Sequence, residues 1–149
     1  MDGGCRCGQV RFSVSEPGLF TSACHCAGCR RMTASAFSLS IGVLAQSFSI
    51  TKGDPVIGGL HGEHRHFHCG HCKSWMFTRP AGLDHFVNLR SMMLDHHFDF
   101  VPFIETYTAE KLSWVTTPAT HSFESVPPLE AYEGLIMEFK QLQAQDLSP

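Results

Sequence analysis

At 149 residues with 43% apolar side chains, the chain is sized for one domain with a real core, expected over 1–149. Its formal charge of −3, with eleven Lys and Arg in no basic run, argues against nucleic-acid or anionic-membrane partners. The start, MDGGCRCGQV, lacks the basic-then-apolar pattern of a secretory signal, and no stretch approaches the roughly 20 apolar residues of a membrane span. A soluble, cytoplasmic protein is the expectation.

In chain order, Val10, Phe12 and Val14 alternate with Arg11, Ser13 and Ser15, the period of a strand with one apolar face. Phe37, Leu39 and Ile41 repeat the pattern between serines. Phe48 and Ile50 carry it on to a turn at Lys52-Gly53-Asp54-Pro55, and further strands are predicted around Arg65–Phe67, Trp75–Phe77, Phe86–Leu89 and Phe103–Tyr107. After Pro127-Pro128, the residues Leu129, Tyr132, Leu135, Ile136, Phe139 and Leu142 recur at helical spacing, with Glu130, Glu133, Glu138 and Lys140 between them. A mainly β body with an amphipathic helix over about 129–143, packed on the sheet, is predicted.

Seven cysteines cannot form a stable disulfide framework in a reducing compartment, and their odd number would leave one unpaired elsewhere. They fall into three clusters, Cys5-Arg-Cys7, Cys24-His-Cys26-Ala-Gly-Cys29 and Cys69-Gly-His-Cys72. Zinc takes four tetrahedral ligands, so cysteines close in sequence must sit in tight turns, for which Gly4, Gly8, Gly28 and Gly70 are suited. CxC plus CxxC supplies a closed set of four thiolates from Cys5, Cys7, Cys69 and Cys72, the pattern of a structural ion. Cys24, Cys26 and Cys29 supply three, which leaves a position open for water or substrate. The count alone leaves open that the central cluster shares ligands with either neighbour. Cys69-x-x-Cys72 also matches a disulfide-exchange dithiol, but a redox CxxC opens a helix, whereas this one lies between strand-like segments.

His64, His66 and His68 alternate along a predicted strand and share one face, opposite Phe67 and Cys69. A solvated strand face is the simpler expectation, ahead of a role as ligands or acid–base groups. The same applies to His61, His85, His96, His97 and His121, while turn geometry alone accounts for His25. Arg30 and Arg31 follow the central cluster directly, so either a forked contact with a substrate carboxylate or plain surface charge fits them.

Gly4-Cys-Arg-Cys-Gly-Gln-Val-Arg-Phe12, Cys24-His-Cys26-x-x-Cys29-Arg30 and Phe67-x-Cys69-x-x-Cys72, in this order, resemble the glutathione-dependent formaldehyde-activating family, which has a eukaryotic branch, the centromere protein V proteins. Ser35-Ala-Phe37 and Thr51-Lys-Gly-Asp-Pro55 fall where that family has similar segments. The resemblance implies antiparallel β sheets built around two zinc ions, a structural one on Cys5, Cys7, Cys69 and Cys72 and a catalytic one on Cys24, Cys26 and Cys29. It further implies a carbon–sulfur lyase that joins glutathione and formaldehyde into S-hydroxymethylglutathione, with a small thiol and an aldehyde as partners. Two departures bear on this. Lys73 stands where the family usually has glycine, and only four residues precede Cys5, so part of a glutathione site is expected to be missing. A non-catalytic zinc-stabilised protein-binding module is the alternative, expected if a protein group closes the second site.

Overall fold

The computed structural model describes residues 1–97 and 100–146. The chain runs through strands Asp2–Gly4 (β1), Arg11–Val14 (β2) and Phe20–Cys24 (β3), then helix Ala27–Thr33 (α1). Strands Ser38–Leu44 (β4), Phe48–Lys52 (β5), Pro55–His61 (β6), His64–Cys69 (β7), Trp75–Arg79 (β8) and Phe86–Arg90 (β9) follow. Ile104–Thr106 (β10), His121–Ser122 (β11) and helix Tyr132–Asp146 (α2) complete it.

The strands form a small sheet, β1-β2-β5, and a large one in the order β11-β10-β3-β4-β9-β8-β7-β6. The sheets are antiparallel except at one end of the large sheet, where β10 runs parallel to both β3 and β11. The fold is thus mainly antiparallel, as expected, and the parallel pairs arise because the chain leaves β9 on one side of β4 and returns beside β3 on the other.

The alternation of Phe12 and Val14 faces them inward from β2, where they meet Phe48, Ile41, Val43, Met76, Phe77, Val87 and Leu89. This core holds the small sheet against one face of the large one, and burial of such side chains is worth about 1.5–3 kcal/mol each. A second cluster joins Leu135 and Phe139 of α2 to Phe20, Phe103 and Ile104. The C-terminal helix thus packs on the sheet through a narrower stripe than its spacing suggests, since Leu129, in a 3-10 turn before it, and Leu142 are exposed. In β4, Ser38 and Ser40 are buried as fully as Ile41 and Val43. Both faces of this central strand are covered, and its serine face carries polar contacts where the alternation implied solvent.

Candidate metal centres

The first centre is built from two turns on different sheets. Cys5 and Cys7 lie between β1 and β2, while Cys69 ends β7 and Cys72 sits in the turn to β8. Their four sulfurs lie within 4.8 Å of one another, with Cys5 Sγ 3.5 Å from Cys7 Sγ and Cys7 Sγ 3.8 Å from Cys69 Sγ. The turns are alike: Gly8 N donates to Cys5 O and Lys73 N donates to Cys69 O, and Gly8 and Lys73 both adopt positive φ, 71° and 62°. Gly8 is the only one of the four cluster glycines in a left-handed conformation, and a lysine holds the equivalent place after Cys72. The amide of Val10 donates to Cys5 Sγ at 3.3 Å, and the Ser74 hydroxyl draws Cys72 down to about 5 against the effect of burial. Hydrogen bonds to sulfur of this kind favour thiolate, the form a metal binds.

The second centre is local in sequence. Cys24 is the last residue of β3, Cys26 is the N-cap of α1, and Cys29 lies one turn into that helix, so a strand end and a helix start aim three sulfurs at one point, within 4.8 Å of each other. Cys29 N donates to Cys26 Sγ at 3.3 Å. The CxxC that opens a helix is therefore Cys26–Cys29, not Cys69–Cys72. Cys24 is pushed far up because Cys26 and Cys29 hold its proton and burial disfavours its charge. In Cys29, hydrogen bonds with Cys24 and Ser38 pull the thiol down, but Cys26 and burial outweigh them. Three thiols crowded this way cannot ionise together without a cation, and their soft donor set fits zinc. Among the described residues no further Cys, His, Asp or Glu joins this group.

The histidine between Cys24 and Cys26 does more than occupy a turn. His25 is fully buried, its Nε2 lies 3.0 Å from Glu105 Oε2 on β10, and its ring meets Phe37 edge-on. Burial alone would raise Glu105, but hydrogen bonds from Lys111, Ser122, Thr117 and His25 hold it at about 2. This ionised hub anchors the ligand-bearing turn to the parallel end of the sheet. Tyr107, at positive φ just after β10, feels the same cluster: burial raises its phenol first, followed by the charges of Cys24, Cys26 and Cys29.

A cleft of about 400 Å³ lies between α1, β4, β8 and the end of β9. Met32, Phe37, Ser38, Lys73, Trp75 and Arg90 are among its walls. Its cations are thus Lys73 and Arg90, not the Arg30 and Arg31 that sequence proximity suggested. Arg30 Nε instead donates to His25 O at 3.0 Å, and Arg31 is exposed. The histidine strand also differs from expectation. His64 is exposed, but His66 is buried with Nδ1 2.8 Å from Thr78 Oγ1, and a bulge after Phe67 lets His68 stack on Trp75. The side chain of His61 lies outside the described residues.

A mainly β domain carrying two thiol clusters able to hold zinc is the class these features define. The family described as glutathione-dependent formaldehyde-activating enzyme matches residues 1–110, and the chain belongs to that family. A solved structure of a Rhodobacter sphaeroides protein shares the fold, with a TM-score of 0.55 and 18% identity over 64% of this chain and 89% of that one. No curated protein matches the chain. Among the described residues no helix is long and apolar enough to cross a membrane.

Proposed function

We propose that this is a cytoplasmic, zinc-dependent carbon–sulfur lyase that makes or breaks a thiol–aldehyde adduct such as S-hydroxymethylglutathione. Cys5, Cys7, Cys69 and Cys72 hold a structural ion, and Cys24, Cys26 and Cys29 hold the catalytic one. The observation that carries this reading is the three-sulfur cluster with no fourth Cys, His, Asp or Glu among the described residues, while Ser38, opposite Cys24 in the β3–β4 register, lines a cleft. Zinc bound there would keep an incoming thiol as thiolate at neutral pH.

In the forward direction the substrate sulfur attacks the aldehyde carbon, the carbonyl pair moves onto oxygen, and that oxygen takes up one proton. The proton that the thiol releases on binding as thiolate balances the one taken up by the oxygen. Trp75, Met32 and Phe37 supply apolar walls that orient the adduct and limit water. The test is exchange spectroscopy on glutathione and formaldehyde with protein holding two zinc ions. Wild type accelerates adduct exchange above the uncatalysed rate and Cys26→Ala does not. No acceleration across a panel of thiols and aldehydes, with both ions bound, rejects the enzyme and leaves the protein-binding module.

A further inference from the structure

Arg90 is buried, 5% exposed, at the end of β9. Its guanidinium lies 4.1 Å over the Trp75 ring, Nη2 reaches Asn88 O at 3.5 Å, and Nε is buried without a hydrogen-bond partner among the described residues. A buried cation needs an opposite charge nearby, yet no carboxylate among the described residues pairs with it. The groups whose negative charge would reach it, once a metal lets them ionise, are the sulfurs of Cys29, Cys24 and Cys26.

The link is Ser38. Arg90 Nη1 lies 3.1 Å from Ser38 Oγ, and a guanidinium has no lone pair, so Ser38 accepts there. Its single hydroxyl proton is then free to turn away from Arg90 toward Cys29, whose thiol Ser38 pulls down. A chain Arg90 to Ser38 to Cys29 thus runs from the cleft wall into the three-sulfur cluster. Ser38 also sits opposite Cys24 in the β3–β4 register, which places the hydroxyl at the strand end that carries the ligand.

Formal charges show what this does. Three thiolates and Zn²⁺ sum to −1, and a fourth, incoming thiolate would make −2, an unfavourable build-up away from water. With the +1 of Arg90 counted, these totals become 0 and −1. Resting on the proposed zinc at this cluster, we propose that Arg90, acting through Ser38, is the counter-charge of the Cys24–Cys26–Cys29 centre and so lets it accept an anionic sulfur as the fourth ligand. Arg90 is a positioning residue in this account, since it acts through Ser38 and the field and not on the reacting carbon.

The test is metal competition against a chromogenic chelator, followed by titration of the cobalt-substituted protein with glutathione and, separately, with neutral imidazole. Groups that hydrogen-bond metal ligands typically matter 10–100-fold in affinity. Arg90→Gln is expected to weaken metal binding at this cluster about 10-fold or more, and to weaken glutathione binding much more than imidazole binding. Arg90→Lys is expected to restore the preference for the thiol, and Ser38→Ala, which leaves the charge in place, to lower metal affinity alone. A folded Arg90→Gln that binds metal and both ligands as wild type does overturns the proposal. If Arg90→Gln fails to fold, Ser38→Ala decides, and unchanged metal affinity in it overturns the proposal equally. A wild type holding no metal here removes the functional reading and this proposal together. A wild type that holds metal and shows the Arg90 effect without turning over any adduct removes the functional reading only.

Discussion

The two cysteine centres use the same ligand chemistry in opposite structural settings. Cys5 and Cys7 come from the small sheet and Cys69 and Cys72 from the large one, so that centre ties together parts of the chain more than 60 residues apart (Cys7 and Cys69, |i−j| = 62). Cys5 and Cys69 also belong to the core between the sheets. Cys24, Cys26 and Cys29 instead sit on one strand end and one helix start, which are already held by β3–β4 pairing and by His25 on Glu105. A metal that joins distant elements stabilises the fold, whereas one seated on a prebuilt turn is free to change its own ligands during chemistry.

The sharpest way to break this comparison is a pair of substitutions. Cys69→Ala is expected to unfold most of the domain, because it removes one ligand of the cross-sheet site and opens a hole in the core. Cys26→Ala is expected to keep the native circular dichroism spectrum and lose about one zinc per chain by elemental analysis. Equal loss of folding in both would erase the distinction.

Glu105 sharpens it further, since it supports the second centre from outside. Its carboxyl is held to about 2 from an ordinary 4.5, so its stabilisation is complete above pH 4.5 and is lost as the pH falls towards 2. Glu105→Gln should cost roughly 2–3 kcal/mol at pH 7, with the gap from wild type shrinking below pH 4.5. Denaturant midpoints across the acid range check this. A gap that widens on acidification would contradict the assigned network.

The smallest expected effect concerns the first centre. Lys73 adopts φ 62°, a conformation costing a side-chain-bearing residue about 1–2 kcal/mol, so Lys73→Gly should raise stability by about 1 kcal/mol or less after the entropy of glycine is set against it. Thermal melting measures it, and a clear loss of stability would mean that the contact of Lys73 Nζ with Gly70 O, at 2.5 Å, matters more than the backbone.

Much of this contrast could be read from the chain itself. Ligands of a metal cluster lie close in sequence, so spacing and ligand count group the cysteines before any coordinates exist, alternation marks β2 and β5, and short apolar runs mark β8 and β9. Helix α1 was hidden because seven residues are too few to show a helical period, and three of them carry the cluster motif and its arginines. Arg90, Ser38 and Glu105 were hidden for another reason. Each reads as an ordinary strand residue, and only the pairing of β3 with β4, of β4 with β9 and of β10 with β3 brings them to the cysteines. His66 was misjudged because alternation tells which residues share a face, not whether that face is covered.

The central claim is that the second centre is an open zinc site, and a crystal structure of protein loaded with zinc, with anomalous scattering at the zinc edge, tests it most directly. The account predicts two ions per chain, one on Cys5, Cys7, Cys69 and Cys72, the other on Cys24, Cys26 and Cys29 with a water or small molecule as its fourth ligand. A second ion closed by a fourth protein group, or a single ion per chain, would contradict it.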